Sequence, residues 1–301
     1  MNLNAILRRC TKLCLFAALV APLAAQEDDF NDGNDTGWTR FAPLNPFGGT
    51  AFSNNGGSYQ ISCQPSPDPV SYGPSRAAGL RQDRSYDNFC VMVDILDWNP
   101  AENSALGILA RVQSGPGQGN VNGYAFTWQS KDNDVQISRI TGEQAADISG
   151  NPKVTLTPGQ SYRMVFTGVD YRLEGRIYHH GDLTTPIIVA TAQDSTYEGG
   201  TCGLLIFSYE NTRCSGTFDN YFANDGTPPP IQATLAENGG MVVSWNTLAG
   251  LGAGIEYSPD LSTWAPASGT ATLSGERTLF KVTSAEGMDF AYCRLRTGTT
   301  Q

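Results

Sequence analysis

Histidine is nearly absent: the 301 residues contain two, His179 and His180, side by side. A Ser-His-Asp triad would have to draw on this one spot, and no G-x-S-x-G nucleophile elbow exists to join it. A histidine-based metal site would likewise need further ligands converging from elsewhere. Beside Gly181-Asp182 the pair reads as a solvated turn. Basic charge is also scarce, with 19 Lys and Arg against 29 Asp and Glu and a net charge of −10. Such a surface repels phosphate backbones, which excludes nucleic acid as a partner. No apolar run reaches the roughly 20 residues that cross a bilayer as a helix, so a membrane-spanning chain is not expected. The C-x-x-C spacing of zinc and redox motifs is missing too, as are internal repeats.

What is present begins with an address. Arg8, Arg9 and Lys12 form a basic start, Leu13–Val20 is apolar, and Ala21-Pro22-Leu23-Ala24-Ala25 supplies small residues for cleavage. Residues 1–25 therefore read as an export signal, placing the protein in the periplasm, on the cell surface or outside. Cys14 lies within the apolar segment, too early for a lipoprotein site. Of the later cysteines, Cys63, Cys90, Cys202 and Cys214 precede the proline run and Cys293 follows it. In an oxidising compartment the four are expected to form two disulfides, with three connectivities open. Cys293 is expected to pack as a small apolar residue.

From residue 26 to 224 the chain is a succession of short alternating segments punctuated by Gly, Pro, Asn and Asp, with no amphipathic helix. The clearest are Asn88–Leu96, Ala105–Val112, Gly123–Gln129, Ser161–Thr167 and Tyr171–Tyr178. A strand about every ten residues is the signature of an all-β sandwich. Gly203–Tyr209 and Thr217–Ala223 read as a closing hairpin, and the N-terminal DDFNDG segment as its neighbour. Residues 64–84, with four prolines, read as a long surface loop of the kind that carries function. Asn224–Pro230 is a linker, because three prolines forbid a further ladder strand.

Taken in order, DDFNDGNDTGW, NFCVMVDILDW with ALGILARV, NGYAFTW, SYRMVFTGVDYRLEGRIY, QDSTYEGGTCGLL and GTFDNY resemble the concanavalin A-like, laminin-G-type jelly roll of exported bacterial proteins. The resemblance implies two antiparallel sheets, one concave, with glycan binding or hydrolysis on the concave side. Residues 231–301, with VSW, GIEYSPDLSTW and FAYCRLR, resemble a small fibronectin-III-like β module whose core aromatics would be Trp245 and Trp264. The expected fold is thus all-β: a jelly-roll sandwich over 26–224, a linker over 225–230 and a small module over 231–301.

Candidate chemistry is sparse. The laminarinase-like glycosidases of that family carry E-x-D-x-x-E on one strand, so that alternation aims paired carboxylates into one cleft. The nearest segment here, Asp94-Ile95-Leu96-Asp97, spaces its carboxylates by three and turns them to opposite faces. Asp94 beside Arg111 reads instead as an ion pair on a sheet face. That polar face, with Asp94, Arg111, Arg172, Glu174 and Tyr178, is the candidate ligand-binding side. Trp98, which ends a strand before Asn99-Pro100, is expected to be exposed near it. Tyr124, Phe126 and Trp128 share one face and read as core. Asp29, Asp32 and Asp219 would converge if the first and last strands are neighbours, and Ca²⁺ is the ion that such oxygens would hold. Without that convergence they are turn formers. The leading function is non-catalytic binding of a carbohydrate or another extracellular polymer. A structural or adhesive surface component stands second, and a glycan hydrolase third.

Overall fold

The computed structural model describes residues 25–54, 56–113, 121–180 and 185–226 and, beyond the linker, 232–235, 241–246, 254–258, 263–274, 277–282 and 292–296. The export signal, the proline run and much of the C-terminal module lie outside these residues. In chain order the strands up to the linker are β1 (Gln26–Asp28), β2 (Trp38–Phe41), β3 (Thr50–Asn54), β4 (Tyr59–Cys63), β5 (Arg76–Tyr86), β6 (Phe89–Asp97), β7 (Ala105–Val112) and β8 (Gly123–Gln129). They continue with β9 (Asp134–Thr141), β10 (Gln144–Asp147), β11 (Tyr162–Val169), β12 (Arg172–His179), β13 (Ile188–Gln193), β14 (Gly200–Phe207) and β15 (Cys214–Asn224). Two short helical turns interrupt them, a 3-10 turn at Asn45–Phe47 and α1 (Pro69–Tyr72).

These strands form two antiparallel sheets packed as a jelly-roll sandwich. Sheet A runs β13-β12-β11-β6-β15-β4-β3, with β1 also on β15, and sheet B runs β10-β9-β8-β7-β14-β5-β2. Alternation explains the core. Phe89, Val91, Val93 and Ile95 of β6 and Leu173 and Ile177 of β12 face Leu106 and Ile108 of β7 and Tyr124, Phe126 and Trp128 of β8. Gly175 completes that face of β12, where a Cβ would come within 2.3 Å of the Phe126 ring. Each such apolar side chain, once buried, contributes about 1.5–3 kcal/mol.

The two strands read as a closing hairpin are not one. β14 pairs with β5 and β7 in sheet B, while β15 pairs with β4 and β6 in sheet A. Residues 208–213 carry the chain from one sheet to the other. The neighbourhood of the first strand is as expected, with Asp28 opposite Tyr221. Within β15 a bulge at Asn220, whose φ is 51°, resets the alternation. Phe218 and Tyr221 therefore face the core, whereas the two-fold pattern would have paired Phe218 with Asn220. The loop expected over 64–84 is also shorter, because β5 begins at Arg76.

The expected disulfides are not formed. Cys63, Cys90, Cys202 and Cys214 are buried free thiols. Cys90 packs with Met92, Val165, Tyr178 and Phe222 on the outer side of sheet A, whereas Cys202 lies in the core between the sheets. Cys63 and Cys214 face each other across β4 and β15, but Cys63 Sγ donates to the Gln64 carbonyl at 3.4 Å. Burial pushes the Cys90 and Cys202 thiols up to about 12, so all four behave as small apolar residues.

Asp194 follows the end of β13 and ties the sheets together. Its carboxylate accepts from Tyr124 Oη at 2.7 Å, Arg139 Nη1 at 2.8 Å and Thr196 N at 2.8 Å. Desolvation raises its pKa, but these donors outweigh it and hold the group below its ordinary 3.8. A carboxyl depressed on folding adds stability that is present above the unfolded value and lost as pH falls through the folded one. Urea midpoints of the wild type should therefore fall as pH drops below 3.8, and Asp194→Asn should flatten that part of the profile. Identical acid limbs in the two proteins would refute the role.

Beyond the linker two further antiparallel sheets occur. One joins β16 (Gln232–Leu235), β17 (Met241–Asn246), β20 (Gly269–Ser274) and β21 (Arg277–Val282) in the order β16-β17-β21-β20. The other joins β18 (Gly254–Ser258), β19 (Ala265–Pro266) and β22 (Tyr292–Arg296) in the order β19-β18-β22.

Candidate functional site

The residues singled out from the sequence do not come together. Asp94 is fully buried on the outer side of sheet A, and its partner is Arg163, not Arg111. Arg163 Nε and Nη2 donate to its two oxygens at 2.7 and 2.8 Å, and Asn220 Nδ2 donates to Oδ2 at 2.9 Å. His180 Nε2 lies 3.3 Å from the same oxygen. Asp219 stands opposite Asp94 across β6 and β15, and its Oδ1 accepts the Asn220 amide at 2.7 Å. Glu174 pairs with Arg176, and Arg172 is exposed over the Tyr171 ring. Tyr178 shares this side but is buried in the Cys90 cluster, so it offers no open ring.

Arg111 belongs to the other sheet. A bulge at this position, with φ 50°, turns the guanidinium away from the face that alternation assigns to it. There it donates to the Asp87 and Tyr197 carbonyls at 2.7 and 3.0 Å and lies over the Phe89 ring. Trp98, expected at the surface, is 4% exposed and packs edge-on against Trp128 at 4.9 Å. Asp29 and Asp32 each accept a backbone amide two residues on, closing turns. Among the described residues no group of three or more His, Cys, Asp or Glu side chains is arranged to hold a metal. The carboxylates expected for Ca²⁺ are thus engaged in backbone hydrogen bonds rather than gathered around one point.

A cavity lies on the outer face of sheet B. Its floor is apolar: Leu80, Leu109, Ala125, Ile140 and Leu205 pack side by side with Phe41. Thr127 and Ser138 place two hydroxyl-bearing side chains among them. The groove above this floor holds about 500 Å³. One signal for it was legible. β7 and β14 are apolar at nearly every position, as strands buried on both faces are, yet only one of their faces meets sheet A.

The walls are built by local structure. Asp68 caps α1, its carboxylate accepting from the amides of Val70 and Ser71 at 3.1 Å each, with Pro69 in the first turn. Asn211, in the crossing between β14 and β15, clamps the same loop at both ends. Its Oδ1 accepts from Ser66 N and Ser75 N at 2.7 and 3.1 Å, and its Nδ2 donates to the Ser66 carbonyl at 2.9 Å. Arg76 joins this wall to the opposite one. It donates to the Tyr72 and Pro74 carbonyls at 2.7 and 2.9 Å and, through Nε, to Glu143 Oε2 at 3.0 Å. Glu143 is presented by the β9–β10 turn, where Gly142 and Glu143 both have positive φ, 55° and 67°, as a two-residue type I′ hairpin loop requires.

Aromatic rings stand at the rim. Tyr209 is 54% exposed, sits perpendicular to Phe207 at 4.5 Å and donates its hydroxyl to Gln136 Oε1 at 3.1 Å. Tyr72 packs against the exposed Phe47 at the other wall. Beyond Phe207 and Tyr209 a second, polar pocket of about 360 Å³ opens beside Gln129, Lys131 and Glu210.

Fold and cavity together define a two-sheet β-sandwich with an open, aromatic-rimmed groove on one outer face. No protein-family model matches the sequence, and no curated protein does. Among solved structures the chain is similar to a carbohydrate-binding module from Bacillus subtilis, at 17% identity over 64% of this chain and 97% of that one, with a TM-score of 0.47. It is similar also to a β-1,3-1,4-glucanase from a mouse hindgut metagenome, at 11% identity, 67% and 99% coverage and a TM-score of 0.47. A third is lectin II from Ulex europaeus, at 12% identity, 68% and 100% coverage and a TM-score of 0.45.

Proposed function

We propose that this chain is an exported, non-catalytic binding protein for a polysaccharide, held in the groove on the outer face of sheet B. The observation that carries this reading is the groove itself: an apolar floor carrying two hydroxyls, walled by a clamped loop and rimmed by an exposed tyrosine. Pyranose rings present an apolar CH face and a polar equator, which suits an aromatic platform with scattered hydrogen-bonding groups. An open groove rather than a closed cavity suits a polymer threading through. The basic and apolar pattern of residues 1–25 supports export, and the net charge of −10 argues against nucleic acid. The reading calls on no metal.

Tyr209→Ala is expected to weaken binding of a neutral polysaccharide about tenfold, equivalent to about 1.4 kcal/mol. Its melting temperature should stay at the wild-type value, because half of the side chain is already in solvent. Affinity electrophoresis in gels containing a soluble mixed-linkage β-glucan or xylan, followed by calorimetry, measures both. A wild-type protein retarded by no polysaccharide would overturn the reading in favour of a structural surface component.

A further inference from the structure

The groove is more apolar than a bare sugar ring requires. Its floor is mainly aliphatic: Ala125 of β8 stands between Leu109 of β7 and Ser138 of β9, and Leu205 of β14 stands beside Ala78 of β5. All of these line the cavity. The apolar surface then continues up the walls. Ala145, on the exposed strand β10, stands opposite Ile140 of β9. Phe207 is half-buried, and Val70, in α1, is 94% exposed. These side chains line the same groove, so a ligand in it meets hydrocarbon from floor to rim.

Charge is neutralised there. Among the described residues lining the groove only Arg76 and Glu143 are charged, and they pair with each other. Hydrogen-bonding groups open to solvent stand at the rim, as Ser71, Gln144 and Tyr209. An unsubstituted pyranose lying deep in the groove would turn its equatorial hydroxyls toward Phe207, Ala145 and Val70. A hydroxyl taken from water without a partner costs free energy, and the floor offers only the buried Thr127 and Ser138 to meet it. An ester changes this balance. It removes the hydroxyl's donor proton, keeps a carbonyl acceptor and adds a methyl group that gains from packing on aliphatic side chains.

We propose that the groove selects a neutral, O-acylated polysaccharide over the same chain with free hydroxyls. The inference rests on the groove reading and deepens it by naming the substituent. The acyl group enters the groove and packs on Leu109, Ala125 and Leu205, with Ala145 on the wall beside it. The sugar ring stays nearer the rim, where Ser71, Gln144 and Tyr209 meet its remaining hydroxyls.

The test is calorimetry of wild type, Ala125→Leu and Ala145→Leu with O-acetylated xylo-oligosaccharides and with the same preparation after alkaline deacetylation. The wild type is expected to bind the acetylated form about tenfold more tightly. Each leucine fills the space that the acyl group would occupy. Both variants should therefore bind the acetylated form only as tightly as the deacetylated one, whose affinity stays at the wild-type value. Melting temperatures identify any variant that folds poorly, and Ala145→Leu, on an exposed strand, keeps the comparison open if Ala125→Leu does. Equal wild-type affinity for the two forms, with both weakened by Tyr209→Ala, would overturn the proposal while the groove stands. Tighter binding of the deacetylated form would also overturn it. So would an undiminished preference for the acetylated form in both folded variants, which would put the acyl group elsewhere. If the wild type binds neither form, nor mixed-linkage β-glucan or xylan, the groove reading itself fails and takes this inference with it.

Discussion

Asp94→Ala is expected to destabilise the protein by about 3–5 kcal/mol, the usual cost of breaking a buried ion pair from one side. The Arg163 side chain is 7% exposed, and the substitution leaves its guanidinium without the carboxylate that meets it on two nitrogens. The double variant Asp94→Leu, Arg163→Met should recover most of that loss, because it removes both desolvation costs and fills the space with apolar atoms. Urea denaturation gives the measurement, with the midpoint moving and the slope unchanged. A loss under about 1 kcal/mol in Asp94→Ala would mean a solvated pair worth no more than a surface salt bridge. At temperatures where the single variant is still folded, it should bind polysaccharide as the wild type does, since the groove lies on the other sheet.

Trp128→Ala is expected to cost a similar amount, about 3–5 kcal/mol for removing a large buried aromatic. The indole is 1% exposed, packs edge-on against Trp98 and donates from Nε1 to the Val154 carbonyl at 3.0 Å. At about 2–4 °C per kcal/mol for a domain of this size, the melting temperature should fall by roughly 6–20 °C. A drop of only a degree or two would mean that Trp98 and its neighbours close over the space. The same packing bears on Trp98. Its replacement by alanine would lower binding through folding, so it makes a poor probe of a sugar site.

The strands and their inward faces were legible because alternation has a strict period of two. Leu173, Gly175 and Ile177, and Tyr124, Phe126 and Trp128, face the core as their spacing requires. The failures have local causes. Bulges at Arg111 and Asn220, each a non-glycine residue with φ near +50°, shift the face of every residue that follows, and no two-fold pattern announces them. Asp94 was placed on a polar face, yet its partner came from β11, which lies 69 residues further along the chain. Adjacency across a sheet is not written in spacing along one strand. The groove left one signal, apolar residues on both faces of β7 and β14, but strands covered on both sides show the same pattern. Trp98 and Tyr178 were read as exposed from strand-end and polar-face positions, but neighbouring rings and the Cys90 cluster cover them.

β14 and β15 are the last strands before the linker, and each lies in the middle of its sheet, between β5 and β7 and between β4 and β6. Until residue 200 is available, each sheet is two detached halves with open edges. The ladder pairs of β14 with β5 and β7, and of β15 with β4 and β6, join residues 89 to 159 positions apart, and such closures are slow because the loop entropy is lost before the contacts form. The sandwich therefore cannot assemble piecemeal from its N-terminus. A chain cut short before residue 200 is left as two half-built pairs of sheets with bare strand edges exposed, whereas one that reaches residue 224 closes both sheets in a single cooperative event.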